Sequence, residues 1–340
     1  MSDVIESFCG SVPFPITHSP LPISHFPIAH SPFPNPQSPI PMKILLIGGE
    51  GQVGWELRRT LAPLGAVHAP LRSDLNLESA DSIIRVVRET HPQLIVNAAA
   101  YTAVDRAETD VDTATRVNGD AVGVLAEEAK RGGAVLVHYS TDYVFGGNKA
   151  GPYIESDEPD PINVYGRTKL LGERRIREVN PPHLIFRTCW VYGSRGRNFL
   201  LTIRKLASER PVLKVVNDQT GCPTWCRLIA EATSQVITKS ASARGLELGW
   251  FQENGGLYHL ASQGSTTWYE FACAILGGDE GQASVKAIPS VEYPTPARRP
   301  RNSALDSSKI QRQLGIALPD WRVGLVLCTE DAKAKLAPDR

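Results

Sequence analysis

From about Met42 onward, short apolar runs that stop at glycines or polar clusters alternate with stretches whose apolar residues recur at helical spacing. Residues 44–47 are unbroken aliphatics closing on Gly48 and Gly49, the pattern of a parallel strand buried on both faces. Val53, Leu57 and Leu61 share one face of a helix over residues 53–61. The series continues with a strand at 67–69, a helix around 82–88, and a strand at 94–96 leading into Ala98, Ala99 and Ala100. A helix over 114–131 precedes a strand at 135–139 with the polar exit Ser140-Thr141-Asp142. A helix from about 161 to 179 and a strand at 184–187 follow. This alternation predicts an α/β fold, a Rossmann-type doubly wound parallel sheet with right-handed crossovers. After Trp190 the pattern loosens, so residues 42–190 are expected to form the dinucleotide-binding domain. Residues 191–340 would be mainly a smaller substrate-binding lobe, with some segments returning to the first domain. Residues 240–255 read as a surface insertion.

Residues 1–41 differ in kind: ten are proline and none is lysine or arginine. Closely spaced prolines remove backbone donors and favour polyproline II, so a disordered, dispensable tail is expected. It has neither the basic start and apolar run of a secretory signal nor the arginines of a transit peptide.

Charge and cysteine usage narrow the partners. Lys plus Arg and Asp plus Glu both total 36, which argues against a nucleic-acid partner. No apolar run is long enough to span a bilayer, so no membrane association is expected. Six scattered cysteines make no disulfide framework, which suits a reducing cytoplasm. Cys222 and Cys226 lack metal-ligand spacing, and no metal site is expected.

Gly48, Gly51 and Gly54 fall between the first strand and the first helix, and Gly49, Gly51 and Gly54 also satisfy G-x-G-x-x-G. In either register the backbone can approach a pyrophosphate seated on the helix N-terminus. No acidic residue closes the second strand to hold an NAD ribose. Arg72 and Ser73 follow it instead and could hold a 2′-phosphate, with Asp74 placed late; a charged surface turn is the plainer alternative. NADPH is thereby favoured, with NADH still usable. Thr141 ends a strand at the carboxyl edge, where such sheets bind ligands. Tyr165 and Lys169, four apart on a helix, present one face. A phenol with an ordinary pKa of about 10 needs a neighbouring ammonium to exchange protons near neutrality. Tyr165 would protonate the alkoxide left by hydride transfer, aided by Lys169 and by a hydrogen bond from Thr141.

These motifs, with Asn97-Ala98-Ala99-Ala100, resemble the extended short-chain dehydrogenase/reductases. Gly51-Gln52-Val53-Gly54-Trp55-Glu56-Leu57, Ser140-Thr141-Asp142-Tyr143-Val144-Phe145 and Asn163-Val164-Tyr165-Gly166 narrow the resemblance to the dTDP-4-dehydrorhamnose reductases. So do Phe186-Arg187-Thr188-Cys189-Trp190-Val191-Tyr192, Asn217-Asp218-Gln219 and Pro294-Thr295-Pro296-Ala297-Arg298-Arg299-Pro300. The resemblance implies reduction of the 4-keto group of dTDP-4-dehydro-6-deoxy-L-mannose to dTDP-L-rhamnose. It places Gln52 and Val53 near the cofactor pyrophosphate, Asp74 and Leu75 on the adenine side, and Ala99, Ala100, Tyr101 and Thr102 alongside the cofactor. Lys169 would also bond the nicotinamide ribose. Val104, Asp105, Thr141, Asp142 and Trp190 fall at the sugar nucleotide, and Arg298 and Arg299 could pair with its diphosphate. Otherwise Trp190 reads as a core aromatic, and the two arginines as a solvated pair.

Family members that dimerise through Mg²⁺ use three glutamates; here the positions are Glu56, Arg227 and a site near Glu330 or Asp331. A cation at the second disfavours Mg²⁺ and could pair with Glu56, so a monomer or weak homodimer is expected. Tyr143 stands where the related 4,6-dehydratases carry a catalytic glutamate, which argues against dehydration. Two alternatives stay open: another NDP-keto-sugar reductase, and a non-catalytic nucleotide-binding subunit like that of methionine adenosyltransferase.

Overall fold

A computed structural model describes residues 42–242, 245–277 and 283–334; the proline-rich segment 1–41 lies outside them. Strand β1 (Met42–Ile47) is buried at all but Lys43, and helix α1 (Gln52–Leu61) follows it with Leu57 and Leu61 in the core. Then come β2 (Gly65–His68), α2 (Ala80–Thr90), β3 (Leu94–Asn97), α3 (Ala121–Gly132), β4 (Val135–Thr141), α4 (Val164–Val179) and β5 (His183–Thr188). Helix α5 (Cys226–Lys239) and strand β6 (Gly256–His259) come from the later part of the chain. The six strands form one sheet in the order β6-β5-β4-β3-β1-β2, and every pairing is parallel. Because the chain leaves β1 for β2 on one side and returns to β3 on the other, a crevice opens above the carboxyl ends of β1 and β3. Ligands bind at such switch points.

Alternate strand residues fill two cores. Ile44, Leu46, Val96, Val137 and Phe186 pack with Leu57 of α1 and Ile229 and Val236 of α5. Leu45, Ile47, Ile95, Leu136 and Ile185 pack with α2 and α3 through Ile83, Val87, Val122 and Leu125. The segment 240–255 is more than a surface insertion. It contains helix Leu248–Asn254, whose Phe251 is buried in the first core, and it delivers the chain into β6. Nor is the stretch expected as a helix over 114–131 regular, since a π-helical turn spans Arg116–Asp120. There the Asn118 side chain accepts from Tyr101 N–H at 2.8 Å and donates to the Tyr101 carbonyl and the Thr168 hydroxyl, each at 3.1 Å. Such π turns characteristically re-aim one side chain.

Helix α4 docks on β4 and β5 through charge. Glu173 and Arg187 are almost fully buried, and they pair through Nε–Oε1 and Nη2–Oε2 contacts of 2.8 and 2.7 Å. Ser140 Oγ donates to Glu173 Oε1 at 2.5 Å. A fork of this kind offsets desolvation only when complete. Glu173→Ala should therefore cost about 3–5 kcal/mol in urea unfolding, while the double change Glu173→Leu, Arg187→Met recovers most of it. A single-substitution loss below about 1 kcal/mol would show that this pair does not hold the helix.

Candidate active site

The loop from β1 to α1 selects one of the two glycine registers. Gly48 has φ +81°, and a Cβ there would lie 2.6 Å from Ala99 N. A Cβ on Gly54 would fall 2.0 Å from Gly48 O, and Gly51 N–H donates to that same carbonyl at 3.0 Å. Gly49 carries no such constraint, since its nearest neighbour is the Ala69 side chain at 3.1 Å. The required glycines are thus 48 and 54, with 51 at the turn between. Gly51 caps α1 without a side-chain acceptor, leaving the first helical N–H groups available to an anion.

A cavity of about 190 Å³ adjoins this loop, lined by residues 47–50, 70–72, 75–78, 99–101 and 117. Leu75, Ala99, Ala100 and Tyr101 are among its lining residues. Arg72 lines it too, with an exposed side chain 3.3 Å from Glu78. Ser73 and Asp74 are outside the lining: Ser73 Oγ donates to Asp74 Oδ1 at 3.1 Å, and Asp74 Oδ2 accepts from Leu71 N–H at 3.3 Å. Thr102 is exposed next to the cavity-lining Tyr101, and Val53 turns into the hydrophobic core. Gln52 Oε1 accepts from Asn198 Nδ2 at 2.8 Å, linking the glycine loop to the segment after Tyr192.

The Thr141 hydroxyl, at the end of β4, lies near enough to the Tyr165 phenol to lower its pKa. It also donates to Asp142 Oδ1 at 3.0 Å and accepts from Tyr143 N–H at 3.2 Å. Asn163 caps α4 through Gly166 N–H at 2.7 Å and ties it to the Arg298 carbonyl at 2.9 Å. A Cβ on Gly166 would lie 2.1 Å from Tyr143 O, so the helix start presses directly on the backbone after Thr141. Burial pushes the Tyr165 phenol up to about 12, against the Thr141 hydroxyl and with the charge of Asp142. Lys169 does not face the phenol in the way the i, i+4 spacing suggests. Its Nζ donates to the Tyr139 carbonyl at 2.6 Å and lies 3.2 Å from His138 Nε2. Burial lowers it to about 8, opposed by Glu173.

Of the residues expected at the sugar nucleotide, Asp142 is buried, and burial raises its carboxyl to about 6 against hydrogen bonds from Ser303, Cys189 and Thr141. Val104 opens the short helix Val104–Ala107 and is half-buried. Arg299 Nη2 donates to Asp105 Oδ2 at 2.9 Å, whereas Arg298 is exposed. Burial favours a protonated Asp105, but hydrogen bonds from Arg299 and Ala297 N–H outweigh it and hold the carboxyl below its ordinary range. Trp190 adopts φ +45°, rare for a bulky residue. Its ring stacks on Trp268 at 3.4 Å between centroids and 6° between planes. On the other side lies Gly221, where a Cβ would come within 2.3 Å of Trp190 Cε2.

Arg227 does pair with Glu56, Nε to Oε2 at 3.1 Å, and its Nη1 lies 2.8 Å from Asp331 Oδ1. Among the described residues no group of three or more His, Cys, Asp or Glu could hold a metal ion. Sequence reasoning missed Glu78, Asn118, His138 and Trp268. Two had a visible signal: His138 interrupts an apolar strand, and Asn118 interrupts a helix.

Residues 42–334 match the RmlD substrate binding domain. The chain belongs to the RmlD family. A dTDP-4-dehydrorhamnose reductase of Burkholderia thailandensis is 47% identical over 298 residues, covering 85% of this chain and 99% of that protein. The Escherichia coli K12 dTDP-4-dehydrorhamnose reductase is 43% identical, covering 84% of this chain and 96% of its own. Among solved structures, dTDP-4-dehydrorhamnose reductase from Bacillus anthracis in complex with NADP superposes with a TM-score of 0.76 at 31% identity. That match covers 85% of this chain and 98% of the other.

In this RmlD-family chain, Gly221→Ala should force the Trp190 indole off Trp268, because the new Cβ would fall 2.3 Å from Trp190 Cε2. Expected outcomes are loss of the exciton-coupled circular dichroism of the indole pair and a stability cost of about 1–3 kcal/mol. An unchanged couplet with unchanged stability would mean that Gly221 does not clamp the ring.

Proposed function

We propose that the chain is an NADPH-dependent dTDP-4-dehydrorhamnose reductase. It reduces the 4-keto group of dTDP-4-dehydro-6-deoxy-L-mannose to dTDP-L-rhamnose, the last step in making that donor sugar. What carries the reading is Thr141 beside Tyr165 at the carboxyl edge of the sheet, with Lys169 one helical turn on. This arrangement stands in a chain 47% identical to a dTDP-4-dehydrorhamnose reductase.

The residues present fit a dinucleotide. Gly48 and Gly54 allow the backbone of the β1–α1 loop to pack against Ala99 and against itself, and the uncapped start of α1 would meet a pyrophosphate. Arg72, in the lining, meets a 2′-phosphate, with Leu75 and Ala99 to Tyr101 alongside. Bound NADPH supplies the hydride for the keto carbon.

The remaining work belongs to side chains. Tyr165, at about 12, is fully protonated near neutrality and still a far stronger acid than the alcohol formed, so it gives its proton to the new alkoxide. Thr141 has one hydroxyl proton. Given to Asp142, it leaves the oxygen free to accept from Tyr165; turned to Tyr165, it stabilises the phenolate. Lys169 would hold the nicotinamide ribose and favour the phenolate. Asp142, Trp190, Val104, Asp105, Arg298 and Arg299 would bind the sugar nucleotide, with Arg299 already oriented by Asp105. Residues 191–340 would contribute most of this substrate lobe. A cytoplasmic monomer or weak homodimer completes the proposal, and no helix among the described residues is long and apolar enough to cross a membrane.

Tyr165→Phe should slow single-turnover loss of nicotinamide absorbance about 10²–10⁴-fold, roughly 3–5 kcal/mol of barrier, with little change in NADPH affinity. Hydride transfer at near the parental rate would exclude Tyr165 as the acid.

A further inference from the structure

A buried line of polar groups runs behind the reacting residues, and its direction can be worked out from one fixed donor. The backbone N–H of Ala99 can only donate, and it donates to Asn97 Oδ1 at 3.2 Å. Asn97 therefore turns its amide nitrogen to His138, with Nδ2 3.2 Å from Nδ1. An amide nitrogen also only donates, so Nδ1 of the imidazole must be the acceptor. A neutral imidazole then carries its proton on Nε2, and Nε2 lies 3.2 Å from Lys169 Nζ. Lys169 meanwhile donates to the Tyr139 carbonyl at 2.6 Å. An N–H pointed at an ammonium sets two donors against each other, whereas an amine offers its lone pair. An imidazolium would be worse, because both ring N–H groups would face donors.

We infer that His138 is a positioning residue for Lys169: its Nε2–H, oriented through Asn97 by the Ala99 amide, takes the lone pair of the Lys169 amine and holds it on the Tyr139 carbonyl. Asn97 and His138 are register partners on β3 and β4, and both are almost completely buried, so water cannot relieve a wrong orientation. The charged and titratable groups around the line are few. On α4, Glu173 lies one turn beyond Lys169 and is claimed by Arg187 of β5 and Ser140 of β4, while Tyr165 lies one turn before, beside Thr141. The β5 residue in register with His138 is Ile185, and the Tyr139 hydroxyl bonds Thr233 of α5. Burial brings Lys169 to about 8 and, with Lys169 itself, holds the His138 imidazole well below its ordinary value. An N–H pointed at the nitrogen lowers such a group further, in the direction of the amine.

The consequence rests on the reductase reading: to bond the ribose and favour the phenolate as an ammonium, Lys169 must take up a proton when NADPH binds. Two measurements on the full chain decide the matter. Imidazole ¹⁵N shifts of the cofactor-free protein should show His138 neutral and protonated on Nε2 from about pH 5 to about pH 8. A proton on Nδ1, or an imidazolium, overturns the inference whatever the activity. Calorimetry in buffers of different ionisation enthalpy should show uptake approaching one proton on NADPH binding near pH 7. In His138→Gln, whose carbonyl can accept from an ammonium, most of that uptake should vanish. A purely structural histidine would lower the melting temperature of His138→Gln and leave the uptake unchanged, which also overturns the inference. Should His138→Gln fail to fold, the tautomer of the parental chain still decides; failure of the parental chain to bind NADPH counts against the reductase reading instead.

Discussion

Helix α4 has to bury two ionisable side chains, and the architecture of the site follows from the partners the sheet supplies for them. Lys169 and Glu173 lie one turn apart on the face against β4 and β5. Opposite them stand two polar rungs set by strand register, Asn97 with His138 and Ser140 with Arg187. One rung receives the amine and the other the carboxylate. An unpartnered charge at either position would cost several kcal/mol, so the helix is held to one axial position and one rotation. That placement brings Tyr165 to Thr141 at the strand end. Placement of the Tyr165 phenol thus follows from satisfying buried polarity one and two turns away.

The same economy links the two sides of the crevice. Gln52, beside the glycine loop, is bonded to Asn198, while Arg227 joins Glu56 of α1 to Asp331 in the last helix. Asn163 caps α4 and bonds the backbone of the Arg298 loop. Segments on the two sides of the crevice therefore share hydrogen bonds, so displacing one is felt by the other. Trp190 is the most constrained of these residues, strained in backbone and covered on both ring faces. What it offers a ligand is an edge.

Much of this was legible in the residue pattern because buried parallel strands are written as apolar runs and the glycine loop must follow the first of them. Spacing and chain order put Tyr165 and Lys169 on one helix and Thr141 at the end of the strand before it. Strand β6 was not legible: Gly256–His259 is short, its burial depends on pairing with β5, and it has no periodicity of its own. The π turn at Arg116–Asp120 escaped for a similar reason, since it exists to serve Asn118's bonds to Tyr101 and Thr168, distant in sequence. The direction in which Lys169 points escaped too. Spacing says that it shares a face with Tyr165, but only the structure reveals that its nitrogen sits between His138 and the Tyr139 carbonyl.

The central claim is that this chain delivers hydride to the 4-keto carbon of a deoxysugar nucleotide, and an isotope label tests it directly. NADPH deuterated at the transferable position of nicotinamide C4 should be mixed with the chain and enzymatically generated dTDP-4-dehydro-6-deoxy-L-mannose. The account predicts dTDP-L-rhamnose carrying deuterium at sugar C4 and nowhere else. Tight binding of both ligands with no label transferred, or label at another carbon, would contradict it.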